Sequence, residues 1–268
     1  MTQEQPSPRP QLDTSVASIA RIYDYWLGGK DNFAVDREAA EAMIQNYPDI
    51  VTGVRKNRAF LGRAVHYLAA EAGIRQFLDI GTGLPSSNNT HEVAQRAAPE
   101  SRIVYVDNDP IVLGHAQALL TSTGAGACAY IDADLRDTAT ILKKAADTLD
   151  FSQPIAVCLI MILQFIPDVD DPWQIVRALM EAVPPGSYLT VAHPASDVDT
   201  GIAPAFRQLN QRMGPVQVVA RSHEQVARFF DGLELIDPGL VQLHRWRPGP
   251  GADTTRPLAA YGALARKP

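Results

Sequence analysis

The chain has 268 residues, of which 46% are hydrophobic and 20% are charged, and its formal net charge is −6. This length fits one large α/β domain with extensions, or at most two small domains. A mildly acidic chain lacks the basic footprint of a general nucleic-acid-binding protein, and its longest apolar run, 155–163, is too short to cross a membrane. We therefore expect neither kind of partner.

Cysteine usage and the N-terminal composition favour a cytoplasmic protein. Cys128 and Cys158 lie in apolar runs and form no CxxC pair, as expected in a reducing compartment. The first residues, MTQEQPSPRPQ, are polar and rich in proline, unlike a signal peptide. Residues 1–13 are predicted to form a disordered arm, because they hold too few apolar side chains to bury.

A helical segment is predicted to follow the arm. One helix is expected over 15–27, before Gly28 and Gly29, and a second over 35–46. From Asn57 onwards apolar residues recur at three- and four-residue spacing, which predicts a third helix. We divide the chain into the arm, a helical lid over 14–56 and a main domain over 57–268.

Strands and helices are then predicted to alternate. Short runs of Ile, Val and Leu predict strands at 76–80, 102–106, 127–131, 155–162 and 188–192. Helices are expected between them at 90–98, 110–121, 138–149 and 172–183, two of which open with an Asp-Pro pair typical of a helix start. This alternation predicts a doubly wound α/β fold with a mostly parallel sheet covered on both faces.

The C-terminal part has a different pattern. Ser222 and Gln225 form a potential capping box before a helix at 226–230. Strands are predicted at 233–236, 241–246 and 259–264, with no long helix between them. The last two are expected to pair as an antiparallel hairpin at the edge of the sheet.

The loop after the first predicted strand carries the first functional motif. Asp79 is followed by Gly81, Thr82 and Gly83, and such a loop faces the ligand crevice of an open parallel sheet. Position 86 is Ser, so the third glycine of a dinucleotide fingerprint is absent, and no Gly-Lys-Ser/Thr of a P-loop follows. A carboxylate here disfavours a phosphate and favours a cation. S-adenosylmethionine combines an ammonium, a sulfonium and a ribose without a phosphate, so it is the expected cofactor.

Polar residues at the next two strand ends fit the same ligand. Asp107 ends the second strand, where a carboxylate can accept both ribose hydroxyls, and Asn108 is placed to pack beside the adenine. Either Asp132 or Asp134 can accept from the adenine amino group after the third strand, and we choose Asp134, with the backbone of Leu135 beside it. NAD sites share the acid at 107, so it supports a nucleoside rather than one particular cofactor.

These residues carry a resemblance to a known family. Residues 76–195 resemble a class I S-adenosylmethionine-dependent methyltransferase, and Asp79–Gly83, Asp107 and Asp134 fall on the cofactor positions of that class. Over 14–267, stretches such as ARIYDYWLGGKDNF and LDIGTGLPSSNNTHEVAQ are similar to an actinobacterial-type S-adenosyl methyltransferase family long catalogued as a domain of unknown function. The resemblance implies a Rossmann-like fold with a seven-stranded, mostly parallel sheet, an antiparallel edge strand and an N-terminal helical lid. It implies little about the acceptor.

The stretch RIYDYWLGGKDNF at 21–33 supplies further cofactor candidates. Tyr23, Gly29 and Asn32 are predicted to contact the cofactor, with Trp26 beside them as part of an aromatic wall. A plain helix end with its aromatic residues in the core is the alternative. Arg58 is predicted to reach the cofactor carboxylate, and surface charge is the alternative for that residue.

Methyl transfer needs a base only when the acceptor starts protonated. His193, at the end of the fifth strand, is the first candidate base, and His91, beside the first loop, is the second. Tyr23 is a candidate to orient the acceptor through its hydroxyl. A hydrogen-bonded structural role is the alternative for a single histidine at a strand end. The histidines show no metal-ligand spacing, so no metal is expected.

Three functions are therefore compared. The first is methyl transfer from S-adenosylmethionine to a small-molecule acceptor. The second is a regulator or sensor that binds S-adenosylmethionine or S-adenosylhomocysteine without transferase activity. A nicotinamide oxidoreductase is the third, disfavoured by Asp79 and by the missing glycine. The sequence does not indicate an oligomeric state.

Overall fold

Strands rich in Val, Ile and Leu form one mixed sheet in the computed structural model, which describes residues 14–86, 88–119, 125–213 and 216–268. The eight strands within those ranges are β1 (Gln76–Ile80), β2 (Arg102–Asp107), β3 (Ala127–Asp132), β4 (Ala156–Ile160), β5 (Tyr188–Pro194), β6 (Glu234–Leu235), β7 (Val241–Gln242) and β8 (Ala260–Arg266).

The strand order places a ligand crevice at the middle of the sheet. The order is β3-β2-β1-β4-β5-β8-β6, with β7 also paired to β8. Strands β1 to β5 are parallel, and β8 runs antiparallel to β5, β6 and β7. The chain leaves β1 in one direction for β2 and β3, and later continues on the other side with β4 and β5. Such a reversal opens a crevice at the carboxyl ends of β1 and β4, and the predicted fold class is confirmed.

Helices cover both faces of this sheet. In the described part of the chain they are α1 (Ile19–Leu27), α2 (Ala34–Asn46), α3 (Ile50–His66), α4 (Thr90–Ala97), α5 (Pro110–Leu119), α6 (Thr138–Ala145), α7 (Pro172–Ala182), α8 (Ile202–Asn210) and α9 (His223–Ala227). A π-helical turn over Tyr67–Glu71 extends α3.

Alternation along the strands sorts the core into two layers. Leu78 and Ile80 of β1 pack in a cluster that includes residues of α6 and α7, whereas Phe77 packs in a second cluster with residues of α3 and α4. Successive side chains of a strand point to opposite faces, so a parallel strand buried on both faces is apolar almost throughout. Gln76 and Asp79 are the exceptions in β1, and both are buried.

A third apolar cluster lies apart from the sheet. It joins α1, α2 and the first turns of α3 to α8, with Trp26, Met43, Phe206 and Leu209 among its buried members. Helix α8 is absent from the predicted elements, although Ile202, Phe206 and Leu209 follow helical spacing. Its proline, at position 204, lies in the first turn, where proline leaves the intrahelical hydrogen bonds intact.

Several predicted boundaries are wrong. Helix α1 begins at Ile19 rather than 15, and α3 begins at Ile50 rather than Asn57, so the division between 56 and 57 lies inside a helix. Strand β4 ends at Ile160, before Met161 turns to a φ of 55°.

The C-terminal strands also differ in extent from their predictions. The strand expected at 241–246 is limited to Val241–Gln242, followed by a 3₁₀ turn over Leu243–Arg245. Strands β7 and β8 do pair antiparallel, but β8 lies inside the sheet, next to β5. The predicted arm over 1–13 and the predicted end of the helix at 120–121 lie outside the described residues.

Within the described ranges, no helix has both the length and the apolar character needed to traverse a lipid bilayer.

Candidate active site

A cavity of about 900 Å³ opens at the carboxyl ends of β1 to β4 and extends beneath α1, α3 and α8. Sites for small molecules generally measure about 300–1,000 Å³. The cavity has two ends of different character. We call the part formed by the loops after β1, β2 and β3 the carboxylate end, because Asp79, Asp107 and Asp134 line it. The part between α1, α3 and α8 is the apolar chamber.

Asp79 is the most enclosed acid of the carboxylate end. It is 4% exposed, and its Oδ2 accepts a hydrogen bond of 2.5 Å from Thr90 Oγ1 at the start of α4. Burial raises the pKa of Asp79 from an ordinary 3.8 to about 6, an effect that the hydrogen bond from Thr90 and the charge of Arg58 partly offset. A positively charged ligand group would favour the ionised carboxylate.

The two glycines of the first loop have different roles. Gly81 has a φ of 78°, and a Cβ on it would lie 2.5 Å from Ile162 Cγ1. Its missing side chain therefore lets the loop pack on the segment after β4. Gly83 has a φ of 63°, and a Cβ on it would meet nothing within 4 Å, so it is the glycine of this pair that leaves open space in the cavity wall. Both values fall in the left-handed region that glycine adopts without strain.

Asp107 ties the first loop to the second. Its Oδ2 accepts from the backbone N–H of Gly83 at 2.8 Å, and its Oδ1 accepts from the N–H of Asp109 at 3.0 Å. Burial raises the pKa of Asp107. Each carboxylate oxygen can accept a second hydrogen bond, so the group retains capacity for two hydroxyls. The N–H of Gly83, which a phosphate cradle would use, is already donated to a carboxylate.

The predicted adenine residues do lie together at the ends of β2 and β3. Asn108 Nδ2 donates to Asp134 Oδ2 at 3.1 Å, and Leu135 lines the cavity beside them. Arg136, which was not among the predicted site residues, adds a cation beside them. Its Nη1 lies 3.1 Å from Asp134 Oδ2, and its Nε lies 2.8 Å from Asp170 Oδ2.

Thr82 joins a group of tyrosines that the sequence motifs do not reveal. Its Oγ1 lies 2.6 Å from the hydroxyl of Tyr130, whose ring stacks on Tyr105 with centroids 5.4 Å apart. The hydroxyl of Tyr105 lies 2.7 Å from His91 Nδ1. His91 is therefore held by Tyr105 and is not part of the cavity lining, so it does not serve as the second candidate base.

Helix α3 supplies the other wall of the carboxylate end. Asn57 Nδ2 donates to the hydroxyl of Tyr23 at 2.8 Å, and this hydroxyl lies 3.4 Å from the carbonyl of Val54. Burial raises the pKa of Tyr23. The Oδ1 of Asn57 is buried with no hydrogen-bond partner among the described residues. Arg58 also lines the cavity and donates to the carbonyl of Asn88 at 3.2 Å.

Gly29 and Asn32 do not reach the cavity, contrary to the prediction. Helix α1 ends at Gly28, which has a φ of 83°, and Gly29 is exposed beyond it. Asn32 Nδ2 donates to Asp24 Oδ2 at 2.9 Å and to the carbonyl of Gly29 at 3.2 Å. These residues close the end of α1, which is the alternative considered from the sequence.

His193 is also placed differently from its prediction as a base. It is fully buried and is not part of the cavity lining. Its Nε2 lies 2.8 Å from Nη1 of Arg221, which can only donate, so Nδ1 carries the proton and donates to the carbonyl of Pro194 at 2.9 Å. Burial and the charge of Arg221 lower the pKa of His193 to about 3. Its lone pair is occupied, and His193 is structural.

Arg221 organises the segment after β4, which borders both ends of the cavity. Its guanidinium is fully buried and donates to the carbonyls of Leu163 at 2.9 Å and Ile166 at 2.7 Å. It also lies 2.7 Å from Asp168 Oδ1 and over the ring of Trp173. The sequence offers little sign of this role, because position 221 precedes an ordinary capping box.

The segment held by Arg221 contributes Gln164 to the cavity lining. Gln164 Nε2 donates to the carbonyl of Met161 at 2.8 Å, and its Oε1 is buried without a partner in the described part of the chain. Met161 has a φ of 55°, a conformation that is strained for a residue with a side chain and is often found at ligand sites.

The residues present fit S-adenosylmethionine. Asp79 and the unpartnered Oδ1 of Asn57 provide acceptors for an ammonium, Arg58 provides a cation for a carboxylate, and Asp107 provides acceptors for ribose hydroxyls. The acidic character of this end disfavours a pyrophosphate, and the N–H of Gly83 is bonded to Asp107 rather than free for one.

The comparisons with known proteins agree with this fit. The model of a family described as S-adenosyl methyltransferase matches residues 5–268. The crystal structure of a DUF574 family protein from Streptomyces avermitilis is 48% identical, with a TM-score of 0.92 over 96% of this chain and 99% of that one. A putative methyltransferase from Thermobifida fusca is 39% identical, with a TM-score of 0.88 over 98% of this chain and 99% of that one. No curated protein matches the chain. The chain belongs to the S-adenosyl methyltransferase family, and its cofactor is S-adenosylmethionine.

Proposed function

We propose that this protein transfers the methyl group of S-adenosylmethionine to a small molecule bound in the apolar chamber. The observation that carries the proposal is the continuity of one cavity from the carboxylate end, which fits the cofactor, into a second space lined by apolar side chains. A protein that only stored or sensed the cofactor would need no such second space beside it.

Each group of the carboxylate end is assigned one part of the cofactor. Asp79 and Asn57 accept from the ammonium, and Arg58 faces the carboxylate. Asp107 accepts from the ribose hydroxyls. The adenine is bound by three residues: Asn108, Asp134 and Leu135. When bound, the cofactor supplies an electrophilic methyl group on a sulfonium.

The chain contributes orientation and exclusion of water rather than proton abstraction. The lone pair of His193 is occupied by Arg221, and burial raises the pKa of Tyr23, so its hydroxyl stays protonated. We assign Tyr23 to positioning, through its hydrogen bond with Asn57. The lid segment is proposed to close the cavity, because α1 and the first turns of α3 form its wall. Holding two reactants in line without water accelerates a displacement substantially.

Calorimetry and product analysis test this function together. The full chain is titrated with S-adenosylmethionine and with NAD, and binding of the first alone is expected. The loaded protein is then incubated with a metabolite extract, and formation of S-adenosylhomocysteine is followed by mass spectrometry. Tight cofactor binding without product in any extract would favour the regulator or sensor, and preferential binding of NAD would contradict the cofactor assignment.

A further inference from the structure

The apolar chamber has a composition that restricts what it binds. Its walls include the aromatic rings of Trp26, Tyr47, Phe165 and Phe206, with Met213 beside them. Apart from Phe165, which is partly exposed, these side chains are buried, in the cluster that joins the N-terminal helices to α8. Aromatic walls favour flat or apolar ligands, because ring faces and edges contact them over a large area.

Charge restricts the ligand further. Among the described residues that line the cavity, the cationic side chains are Arg21, Arg58 and Arg136. Arg21 Nε lies 2.8 Å from Asp36, and Arg136 pairs with two aspartates at the carboxylate end.

Arg58 donates to backbone and side-chain oxygens near the start of α4, beside Asp79. The acids at the chamber side of the lining are Asp24 and Asp49. An anionic ligand in the chamber would lose its hydration without gaining a counter-ion, whereas a neutral or cationic ligand would not.

The cavity lining also includes a buried side chain with an unpaired acceptor, that of Gln164. The amide of Gln164 is fixed through its Nε2 to the carbonyl of Met161, and its Oε1 has no partner within the described residues. A buried carbonyl oxygen without a donor is unfavourable, and a ligand that brings an O–H or N–H would satisfy it after a small rotation of the amide.

A glycine inside α3 leaves space at the chamber wall. Gly53 lines the cavity, and a Cβ on it would meet only Leu258 Cδ1, at 3.9 Å. A helix with glycine in its interior is less stable than the same helix with alanine. Gly53 therefore leaves open volume in the cavity at some cost in helix stability. Gly62 lies on the same helix, and a Cβ on it would meet nothing within 4 Å, but it is not part of the cavity lining. It provides a matched control.

We propose that the chamber binds, as methyl acceptor, a neutral or cationic, flat and largely apolar small molecule that donates a hydrogen bond to Gln164, and that it rejects carboxylated and phosphorylated molecules. This inference rests on the proposed function, since it names the substrate class of the same cavity.

Binding of simple probes to the full chain loaded with S-adenosylhomocysteine tests the proposal without requiring turnover. The probes are 2-naphthol, 2-naphthylmethylamine and 2-naphthoate, titrated by calorimetry. The neutral and cationic probes are expected to bind at least about tenfold more tightly than 2-naphthoate. Equal or tighter binding of 2-naphthoate, or no binding of the first two probes, would overturn the proposal. Failure of the wild type to bind S-adenosylhomocysteine would instead contradict the proposed function.

Two glycine variants test whether the probes occupy the chamber. Gly53→Leu is expected to weaken binding of 2-naphthol at least about tenfold while leaving S-adenosylhomocysteine binding unchanged, and Gly62→Leu is expected to change neither. Equal 2-naphthol affinity in both variants would overturn the placement. If Gly53→Leu does not fold, Gly53→Ala replaces it. The affinity for 2-naphthol is then expected to fall at least about twofold, and an unchanged affinity would again overturn the placement.

A charge variant tests the selectivity directly. Val216 is half-buried in the cavity lining, so a lysine there can extend its ammonium towards solvent or towards a ligand. Val216→Lys is expected to raise the affinity for 2-naphthoate at least about fivefold relative to Gln211→Lys, an exposed position outside the lining. The same affinity for 2-naphthoate in both variants would overturn the proposal that the chamber rejects anions because it lacks a counter-ion.

Discussion

The two ends of the cavity are built in different ways. The carboxylate end consists mainly of three strand-to-helix turns, and its acidic ligand candidates lie within a few residues of the ends of β1, β2 and β3, whereas Asn57 and Arg58 come from α3. The apolar chamber is assembled from α1, α3, α8 and the segment after β4, which are far apart in the chain. A hydrogen bond of 2.6 Å from Ser18 Oγ to Asp109 Oδ2 joins the N-terminal helices to the carboxylate end.

This difference separates binding of the cofactor from selection of the acceptor. Parallel sheet topology alone brings the strand ends to one edge, so the carboxylate end follows from the fold. The chamber depends on packing between distant helices, and its residues can change without altering the sheet. Variants at the two ends, and at the segment between them, are therefore expected to have separable effects.

The segment between the two ends gives the largest expected effect. Arg221→Met removes the donors to Leu163 and Ile166 and leaves His193 without its partner. Breaking a buried charged network of this kind generally costs about 3–5 kcal/mol of the free energy of unfolding. Denaturant unfolding measures the loss.

The matched control is Arg228→Met, because exposed Arg228 also stacks on Trp173, at 3.9 Å. This control variant is expected to lose only about 0.5–1 kcal/mol of the free energy of unfolding. Equal destabilisation by the two variants would show that Arg221 does not hold the segment after β4.

Asp79 is expected to give a pH dependence of opposite sign for stability and for binding. Its pKa is raised by burial to about 6 in the folded protein, against an ordinary 3.8. The stabilisation from its neutral form is complete below about pH 4 and is lost as the pH rises through about 6, a change of about 3 kcal/mol. The free energy of unfolding of the ligand-free wild type should fall by that amount between pH 4 and 7. The free energy of unfolding of Asp79→Asn should lack this fall.

Cofactor binding to the wild type and to Asp79→Asn tests whether Asp79 contacts the ammonium. An ammonium beside Asp79 favours the ionised carboxylate, so wild-type affinity for S-adenosylmethionine should rise with pH through about 6. The asparagine variant should bind more weakly at pH 7 and lack that rise. A wild-type affinity that does not change between pH 5 and 7 would remove Asp79 from contact with the ammonium.

Asp107→Ala tests the carboxylate end alone. Loss of the carboxylate leaves ribose hydroxyls unmatched and is expected to weaken cofactor binding by about 1–3 kcal/mol. Calorimetry measures this change, with Asp132→Ala as the control. Asp132 pairs in register with Asp107 on the neighbouring strand but is exposed and outside the lining. A similar loss in both variants would indicate general electrostatics rather than a ribose contact.

His193→Gln is expected to give the smallest effect. A glutamine Oε1 can still accept from Arg221, and the pKa of His193, about 3, keeps the wild-type ring neutral above pH 5. Formation of S-adenosylhomocysteine in a metabolite extract should stay within about twofold of the wild type across pH 6–9. A loss of a hundredfold or more would restore His193 as the base.

The sequence reveals the carboxylate end because its signals are local. An acid in an apolar strand, a glycine turn and acids at two further strand ends specify Asp79, Gly83, Asp107 and Asp134, and the structure brings these residues together. Capping signals are local as well, and Ser222 does accept from the backbone N–H of Gln225.

Other residues were misplaced or missed because their roles depend on which side chains become their partners in the fold. His193 has the expected position at a strand end, but Arg221, 28 residues later, occupies its lone pair. Asn32 has a ligand-like side chain, yet Asp24 of the same segment accepts a hydrogen bond from it, and Gly29 is exposed beyond the end of α1.

The amino-acid sequence by itself determined the alternation of strands and helices, the parallel sheet and the acid-lined loops, because periodicity and turn chemistry act between near neighbours. The tertiary structure alone decided the apolar chamber, the role of Arg221 and the starting point of α3, since these depend on which distant surfaces pack together. Contacts between residues far apart in the chain, such as Ser18 with Asp109 or α2 with α8, leave no periodic pattern in a single sequence.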